Sequence, residues 1–226
     1  MPDRSATREF VQVAEINLAG EPVHLLAQRA IWLPARKALL IADLHIGKTT
    51  HFRKSGIAIP GQLAETDLRR LDQLILDCQP EQVLFLGDLF HSQHNGEWDA
   101  FGMQISRHRK VKFLLVKGNH DILDQTHYDQ FGIEVVNDQL PIGRLVLTHD
   151  HLQQVPDGMY NLSGHIHPGY RFRGKGRQTV IMPCFHFGLQ HGLLPAFGTF
   201  TGTKSIIPNP RDRIWVVVKD QLMEVG

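Results

Sequence analysis

Cysteine is scarce in this chain. Cys78 and Cys184 are the only two thiols in 226 residues, and they are far apart in sequence. That excludes a cysteine-built zinc site and gives no reason to expect a disulfide framework, so both are expected as packed side chains. Charge of one sign is missing too: 24 Lys and Arg against 23 Asp and Glu leave a formal net charge of +1. A near-neutral surface exerts no global pull on nucleic acid, and any polyanion must be held by local patches. No apolar run approaches the length of a membrane span. The opening residues MPDRSATREF lack the apolar stretch of a secretory signal, so a cytoplasmic protein with no membrane partner is expected, and Asn161-Leu162-Ser163 is then an irrelevant glycosylation match. No linker, repeat or low-complexity stretch divides the chain, which fits a single domain over residues 1–226.

What is present is an ordinary globular composition, 42% hydrophobic and 21% charged, with short aliphatic runs bounded by turn residues. Ala38 to Ala42, Val83 to Leu86, Val111 to Val116 and Leu145 to Leu147 read as buried strands. Between the first two, Ala64, Leu68, Leu71, Leu74, Ile75 and Cys78 recur at helical spacing after Pro60-Gly61. A second helix is expected around Glu97 to His108, making the first half β-α-β-α-β with a parallel sheet. The amino-terminal runs at Val11 to Ala14, Val23 to Leu26 and Ala30 to Leu33 read as a meander. Beyond residue 130, Ile133 to Val136, Arg144 to Leu147, Thr179 to Met182 and Ile214 to Val218 suggest a second sheet packed on the first.

Five short blocks follow these runs, each with an oxygen or imidazole donor: Asp43-Leu44-His45, Gly87-Asp88, Gly118-Asn119-His120-Asp121, His149, and Gly164-His165-Ile166-His167. Together they offer two carboxylates, one carboxamide and four imidazoles, with His120 and Asp121 left over, a set suited to a pair of adjacent divalent ions. In parallel sheets, ligands collect beyond the carboxyl ends of the strands, where these blocks fall. Residues two apart on an extended segment project to one side, which would let Asp43 and His45 reach one ion. Each block alone has a bland reading. Asp-x-His can be a cap and a surface histidine, Gly-Asp a turn, and Asp121 a solvated capping residue. Their joint occurrence, in order and each after a strand, outweighs those readings.

The pattern resembles the calcineurin-like metallophosphoesterase superfamily, which runs Asp-x-His, Gly-Asp, Gly-Asn-His-Asp/Glu, His, Gly-His-x-His, and all five blocks match over residues 43 to 167. The resemblance implies a four-layer α/β/β/α sandwich of two mixed sheets flanked by helices. It implies two ions, one on Asp43, His45, Asp88 and His167, the other on Asp88, Asn119, His149 and His165, with His120 facing the leaving group. ADLHIGK at 42 to 48, His51-Phe52-Arg53, Gly56 to Pro60 and GDLFHS at 87 to 92 are similar to the ligase-associated DNA damage response phosphoesterases. GDLFH also resembles double-strand-break nucleases of the superfamily, in which this histidine supports the catalytic one; by that likeness His91 positions His120. Asp150 stands where many relatives carry Gly, a minor departure.

The resemblance favours manganese, although carboxylate, carboxamide and imidazole donors suit iron or zinc as well. The expected reaction is phosphodiester hydrolysis, in DNA during repair, by a hydroxide bridging the two ions with His120 assisting the leaving oxygen. An ATP-dependent DNA ligase and a helicase are the partners that the resemblance suggests. For substrate phosphates, Lys48 and Arg53 lie in the loop after the first block, beside His51 and Lys54, and Arg171 and Arg173 follow the last one. A solvated basic face is the competing reading for all of them, and for Arg107 to Lys112 it is preferred. Trp98 and Tyr170 can stack bases or simply pack. Two other functions compete: a small-molecule phosphatase or cyclic-nucleotide phosphodiesterase on the same metals, and a non-catalytic scaffold, against which every ligand position being filled argues.

Overall fold

Alternation sets the first long strand. In Val13–Leu18 the side chains of Ala14, Ile16 and Leu18 are buried while Val13, Glu15 and Asn17 face solvent, the signature of a strand covering a core with one face. The computed structural model describes residues 10–48, 62–91, 93–174, 176 and 178–225. In chain order the first half contains β1 (Phe10–Val11), β2 (Val13–Leu18), β3 (Glu21–Leu26), β4 (Ala30–Leu33), β5 (Ala38–Ile41), α1 (Gln62–Cys78), β6 (Gln82–Leu86), α2 (Gly96–Ile105), β7 (Lys112–Val116), α3 (Gln125–Asp129) and β8 (Ile133–Val136). The second half is β9 (Gln139–Ile142), β10 (Leu145–Thr148), β11 (Tyr160–Ser163), β12 (Pro168–Arg173), β13 (Thr179–Phe187), β14 (His191–Leu193), β15 (Lys204–Ser205), β16 (Arg213–Val218) and β17 (Gln221–Val225).

Strands β2 to β8 form one sheet in sequence order, antiparallel as far as β5 and parallel from β5 to β8. The parallel strands are aliphatic on both faces because both faces are covered. Leu40, Leu84 and Leu86 point into the core shared with the second sheet. Leu39, Ile41, Val83 and Phe85 point to the helices. There Leu68, Leu71, Leu74 and Ile75 of α1 form one stripe, joined by Trp98, Phe101 and Ile105 of α2. Asn95 starts α2 by accepting a hydrogen bond from the Glu97 amide at 2.9 Å.

The second sheet runs β1-β17-β16-β13-β14-β11-β10-β9, with β12 paired to β13 and β15 at its side. It is mixed as well, since β10, β11 and β14 are parallel neighbours, β12 and β15 pair in parallel, and the rest are antiparallel. Leu145, Leu147, Leu162, Phe185 and Phe187 face the first sheet. The architecture is the expected sandwich of two mixed sheets with flanking helices. Among the described residues all three α-helices are connections of the first sheet, and the far face of the second is closed by Tyr170 and Phe172 of β12 and by Ile206 over Cys184, Val216 and Met223.

One strand sits elsewhere than its position in sequence suggested. Ile133 to Val136 belongs to the first sheet, pairing in parallel with β7 from Phe113↔Ile133 to Val116↔Val136. The short helix α3 returns the chain to that edge, so the β-α-β alternation simply continues for one more unit. Among the described residues no helix is long and apolar enough to cross a membrane.

Candidate metal and active site

The ligand residues stand where five strands of the two sheets end or just beyond. Asp43 and His45 follow β5, Asp88 follows β6, Asn119 lies beyond β7, His149 follows β10, and His165 and His167 lie between β11 and β12. Five of them, Asp43, His45, Asp88, His165 and His167, have left-handed backbones with φ between 49° and 62°. That conformation costs an L-residue roughly 1–2 kcal/mol, and such residues cluster at functional sites. The convergence of Asp43 with His45 therefore does not come from a pleat. Both lie outside β5, and a left-handed turn at each aims the side chains.

Local hydrogen bonds fix those turns. The Asp43 amide donates to Gly87 O at 3.2 Å and the His45 amide to Asp88 O at 2.9 Å. The His165 amide donates to Asp43 Oδ2 at 3.0 Å, and the His120 amide to Asp88 Oδ1 at 3.0 Å. The motif glycines are steric requirements. A Cβ on Gly87 would lie 2.1 Å from His149 Nδ1, and one on Gly118 would lie 2.4 Å from both Asp88 N and Asp88 Oδ1.

The donors fall into two groups, Asp43 with His45 and His167, and Asp88 with His149 and His165, each with its ligand atoms within 4.8 Å of one another. Asp88 faces both: Oδ2 is 3.7 Å from His45 Nε2 and Oδ1 is 3.4 Å from His149 Nε2. Asn119 Oδ1 joins the second group, 2.8 Å from His149 Nε2.

The chemistry of these contacts fits a cation at each group. His149 Nδ1 lies 3.0 Å from the Leu86 carbonyl and donates to it. In the neutral ring Nε2 is then a bare lone pair, aimed at the Asn119 oxygen and, at 3.1 Å, at His165 Nδ1. His45 Nε2 and His167 Nε2 meet at 3.4 Å, and Asp43 Oδ1 lies 3.3 Å from the latter. Converging lone pairs repel unless a positive charge lies between them. A proton is a poor candidate at His45, whose pKa is pushed down from 6.5 to about 2, first by burial and then by the nearby Lys48 charge. Burial also raises Asp43, a penalty that a divalent ion would reverse.

His120 is half-exposed at the rim, its Nε2 4.0 Å from Asp88 Oδ2. The His91 ring lies against it, with centroids 3.9 Å apart and planes tilted by 40°, and is 5.1 Å from the His45 ring. Lys48 is half-buried beside the site. Burial lowers its pKa while Asp88 and Asp43 pull it up. Arg53 lies outside the described residues, as do His51 and Lys54.

Arg171 and Arg173 are exposed on β12 and line a groove of about 330 Å³ with Tyr170, Ser205, Ile206 and Pro208. No metal ligand lines that groove. Four and six residues of strand separate the two arginines from His167, roughly 13 and 20 Å, so they stand away from the ions rather than at the mouth of the site. Trp98 is fully buried against Phe90 and Tyr128 and is unable to stack a base. The basic run at 107–110 lines a hollow with Lys37 and Glu81, at the strand ends opposite the ligands.

Sequence reasoning missed two features. Asp121 is a buried carboxylate rather than a solvated cap, accepting from the Gly118 amide at 2.8 Å and the Phe90 amide at 3.1 Å. Burial pushes its pKa up to about 6 against those bonds. The second is a cavity of about 930 Å³ with Ile166 and His151 in one wall and Tyr160, Phe187, His191 and Arg211 among the others. Ile166 sits between two ligands, so the cavity adjoins the metal site.

The calcineurin-like phosphoesterase family profile matches residues 36–171, the segment that holds the entire ligand set. The structure superposes on the Pseudomonas putida nuclease MPE with a TM-score of 0.80 and 31% identity, covering 94% of this chain and 100% of that one. YfcE, a phosphoesterase from E. coli, is a remote likeness at 14% identity and a TM-score of 0.42, over 82% of this chain and 90% of that one. No curated protein matches the sequence. Fold and site together define a metal-dependent phosphoesterase. The chain belongs to the calcineurin-like phosphoesterase family.

Proposed function

We propose that this enzyme is a two-metal phosphodiesterase acting on DNA, a repair nuclease of the cytoplasm that uses manganese. The observation that carries the reading is Asp88, whose two oxygens face two separate ligand groups across a single carboxylate. When bound there, two divalent ions supply activated water and neutralise charge on the phosphate oxygens. The likeness to a nuclease over nearly the whole chain supports a nucleic acid substrate.

The chain's own residues divide the remaining work. His120 Nε2 is close to Asp88 yet half-exposed, and in this reading it gives its proton to the departing ester oxygen. His91 holds that ring in place by the face contact. Lys48 lends a positive charge to a phosphate oxygen, and burial keeps it from being fully solvated by water. Arg171 and Arg173 grip phosphates two or more nucleotides from the cut, with Tyr170 just before them in sequence. A ligase and a helicase are the proposed partners, and iron or zinc the alternative metals.

A small-molecule phosphodiesterase is the second reading, favoured by the ligand-sized cavity beside Ile166. Metal-stripped protein refilled with manganese should hydrolyse a bis-aryl phosphodiester faster than the monoester, and Asp88→Ala should abolish this. Nicking of plasmid DNA, compared with turnover of cyclic nucleotides, then separates the two readings. Silence toward every diester with two ions bound would refute both.

A further inference from the structure

A buried ionic cluster stands outside the ligand set. Asp67 and Arg70, on α1, meet at 2.9 Å with their side chains only 11% and 21% exposed. Arg29, which is largely buried, lies within electrostatic reach of Asp67. Replacing such a set with apolar residues is often neutral or stabilising, so its presence calls for a reason other than stability.

Each member of the cluster grips the segment 194–199. Arg29 Nη1 donates to Ala196 O at 3.3 Å. Arg70 donates to Phe197 O and lays its guanidinium 4.0 Å over the Phe197 ring. Asp67 accepts from the Thr199 amide at 2.8 Å and from its hydroxyl. Three other backbone donors of the same segment point the other way. Leu194 N donates to Ser163 O at 2.9 Å, Phe197 N to Ala42 O at 2.8 Å and Gly198 N to Asp43 O at 3.1 Å. A Cβ on Gly198 would come within 2.5 Å of Leu44 O. The segment is thus a strap fastened on one side by charges of α1 and the β3–β4 turn. On its other side it holds Ala42 and Asp43 at the start of the first ligand block and Ser163 just before the last.

We propose that Asp67, Arg70 and Arg29 are positioning residues for the ion at Asp43, His45 and His167, acting through the strap on the left-handed turn at Asp43. The proposal rests on the two-ion reading of the site. Loosening the strap releases the Ala42 and Asp43 carbonyls, and Asp43 then relaxes toward an ordinary backbone conformation with its carboxylate turned away. The second group, Asp88, Asn119, His149 and His165, has no direct bond to the strap among the described residues.

The test is calorimetric titration of the metal-stripped full chain with manganese alone. Wild type should show two binding events. Arg70→Met should weaken one of them about ten- to a hundredfold, the usual effect of losing support for a ligand, while Arg69→Met, an exposed neighbour paired with Glu65, should weaken neither. A folded Arg70→Met protein that binds both ions as wild type does would overturn the proposal, even if its melting temperature fell. Should that variant not fold, Thr199→Val removes a single hydroxyl bond and should weaken the same event severalfold; unchanged affinity there overturns the proposal too. Wild-type protein that takes up no manganese refutes the two-ion reading itself.

Discussion

Replacing Gly118 with alanine offers a sharp test of the site, because the structure gives both the direction and the size of the disturbance. The added methyl would lie 2.4 Å from Asp88 N and Oδ1 and 3.1 Å from Gly87 Cα. Ordinary contact begins near 3.4 Å, so about 1 Å must be found. Two of these three atoms are backbone, and neither can swing aside. Asp88 is tied to His45 through its carbonyl and to the His120 amide through Oδ1, so whatever moves Asp88 moves both. Metal ligands tolerate only about 0.2 Å, and a misplacement of about 1 Å at a reacting centre is worth about a hundredfold in rate. We expect Gly118→Ala to lower kcat on a bis-aryl phosphodiester at saturating manganese by about a hundredfold. Overpacking should also cost about 1–3 kcal/mol, roughly 2–4 °C of melting temperature per kcal/mol in a chain of this size. Gly96→Ala, where a Cβ meets nothing within 4 Å, serves as control and should be neutral or slightly stabilising. A Gly118→Ala enzyme within about twofold of wild-type kcat would refute the claim that this glycine keeps Asp88 in place.

Four further expectations follow from the same geometry. His120→Ala should lower kcat by about a hundred- to ten-thousandfold with manganese content unchanged on elemental analysis; loss of the ions would contradict its role at the leaving group. Adding manganese at about 100 times its dissociation constant to chelator-treated protein should stabilise it by about 2.7 kcal/mol, seen as a rise in melting temperature, and no rise would mean that the converging lone pairs are not a metal site. In the metal-free protein His45, at about 2 when folded and 6.5 when free, takes up a proton only on unfolding, so its contribution falls as pH drops below about 6.5. Asp121, raised to about 6, contributes in the opposite sense in both proteins, so melting curves of wild type and His45→Asn should converge toward acid pH, and parallel curves would remove that assignment. Arg171→Ala and Arg173→Ala should each lower the salt dependence of DNA binding by about one unit of slope and leave bis-aryl phosphodiester turnover alone; unaltered DNA binding would mark both as a solvated face.

The parts of the fold legible in the sequence are those made of short apolar runs. Strands β5, β6, β7 and β10 were legible because both of their faces are buried. Strand β11 was not, because Asn161 and Ser163 interrupt its apolar character. The reason is visible only in three dimensions: Asn161 is fully buried, donating to Val146 O at 2.9 Å and to Thr148 Oγ1 at 2.8 Å and accepting from the Leu152 amide at 2.9 Å. A polar residue satisfied in this way reads as loop in any pattern of hydrophobicity. The identities of the donors were legible, but the left-handed backbones that bring them together were not, since only glycine signals that conformation in sequence. Arg171 and Arg173 illustrate the opposite error, for closeness in sequence to His167 overstates closeness in space when the intervening residues form a strand. The strap and its fasteners at Asp67, Arg70 and Arg29 carry no local signature, because each contact from a fastener to the strap joins residues more than a hundred apart.

The division of the ligands between two sheets also sets a timetable for the ribosome. Asp43, His45, Asp88 and Asn119 are all synthesised by the time β8 closes the first sheet, while the inner face of that sheet still awaits the second. At that moment only part of the ligand set exists, with a carboxylate that faces one group of ligands and nothing opposite. His149, His165 and His167 come next, and residues 194–199, which hold Ala42 and Asp43, are later still. The ligand set is therefore incomplete until His167 has been made, and the Ala42 and Asp43 carbonyls stay unfastened until residues 194–199 follow.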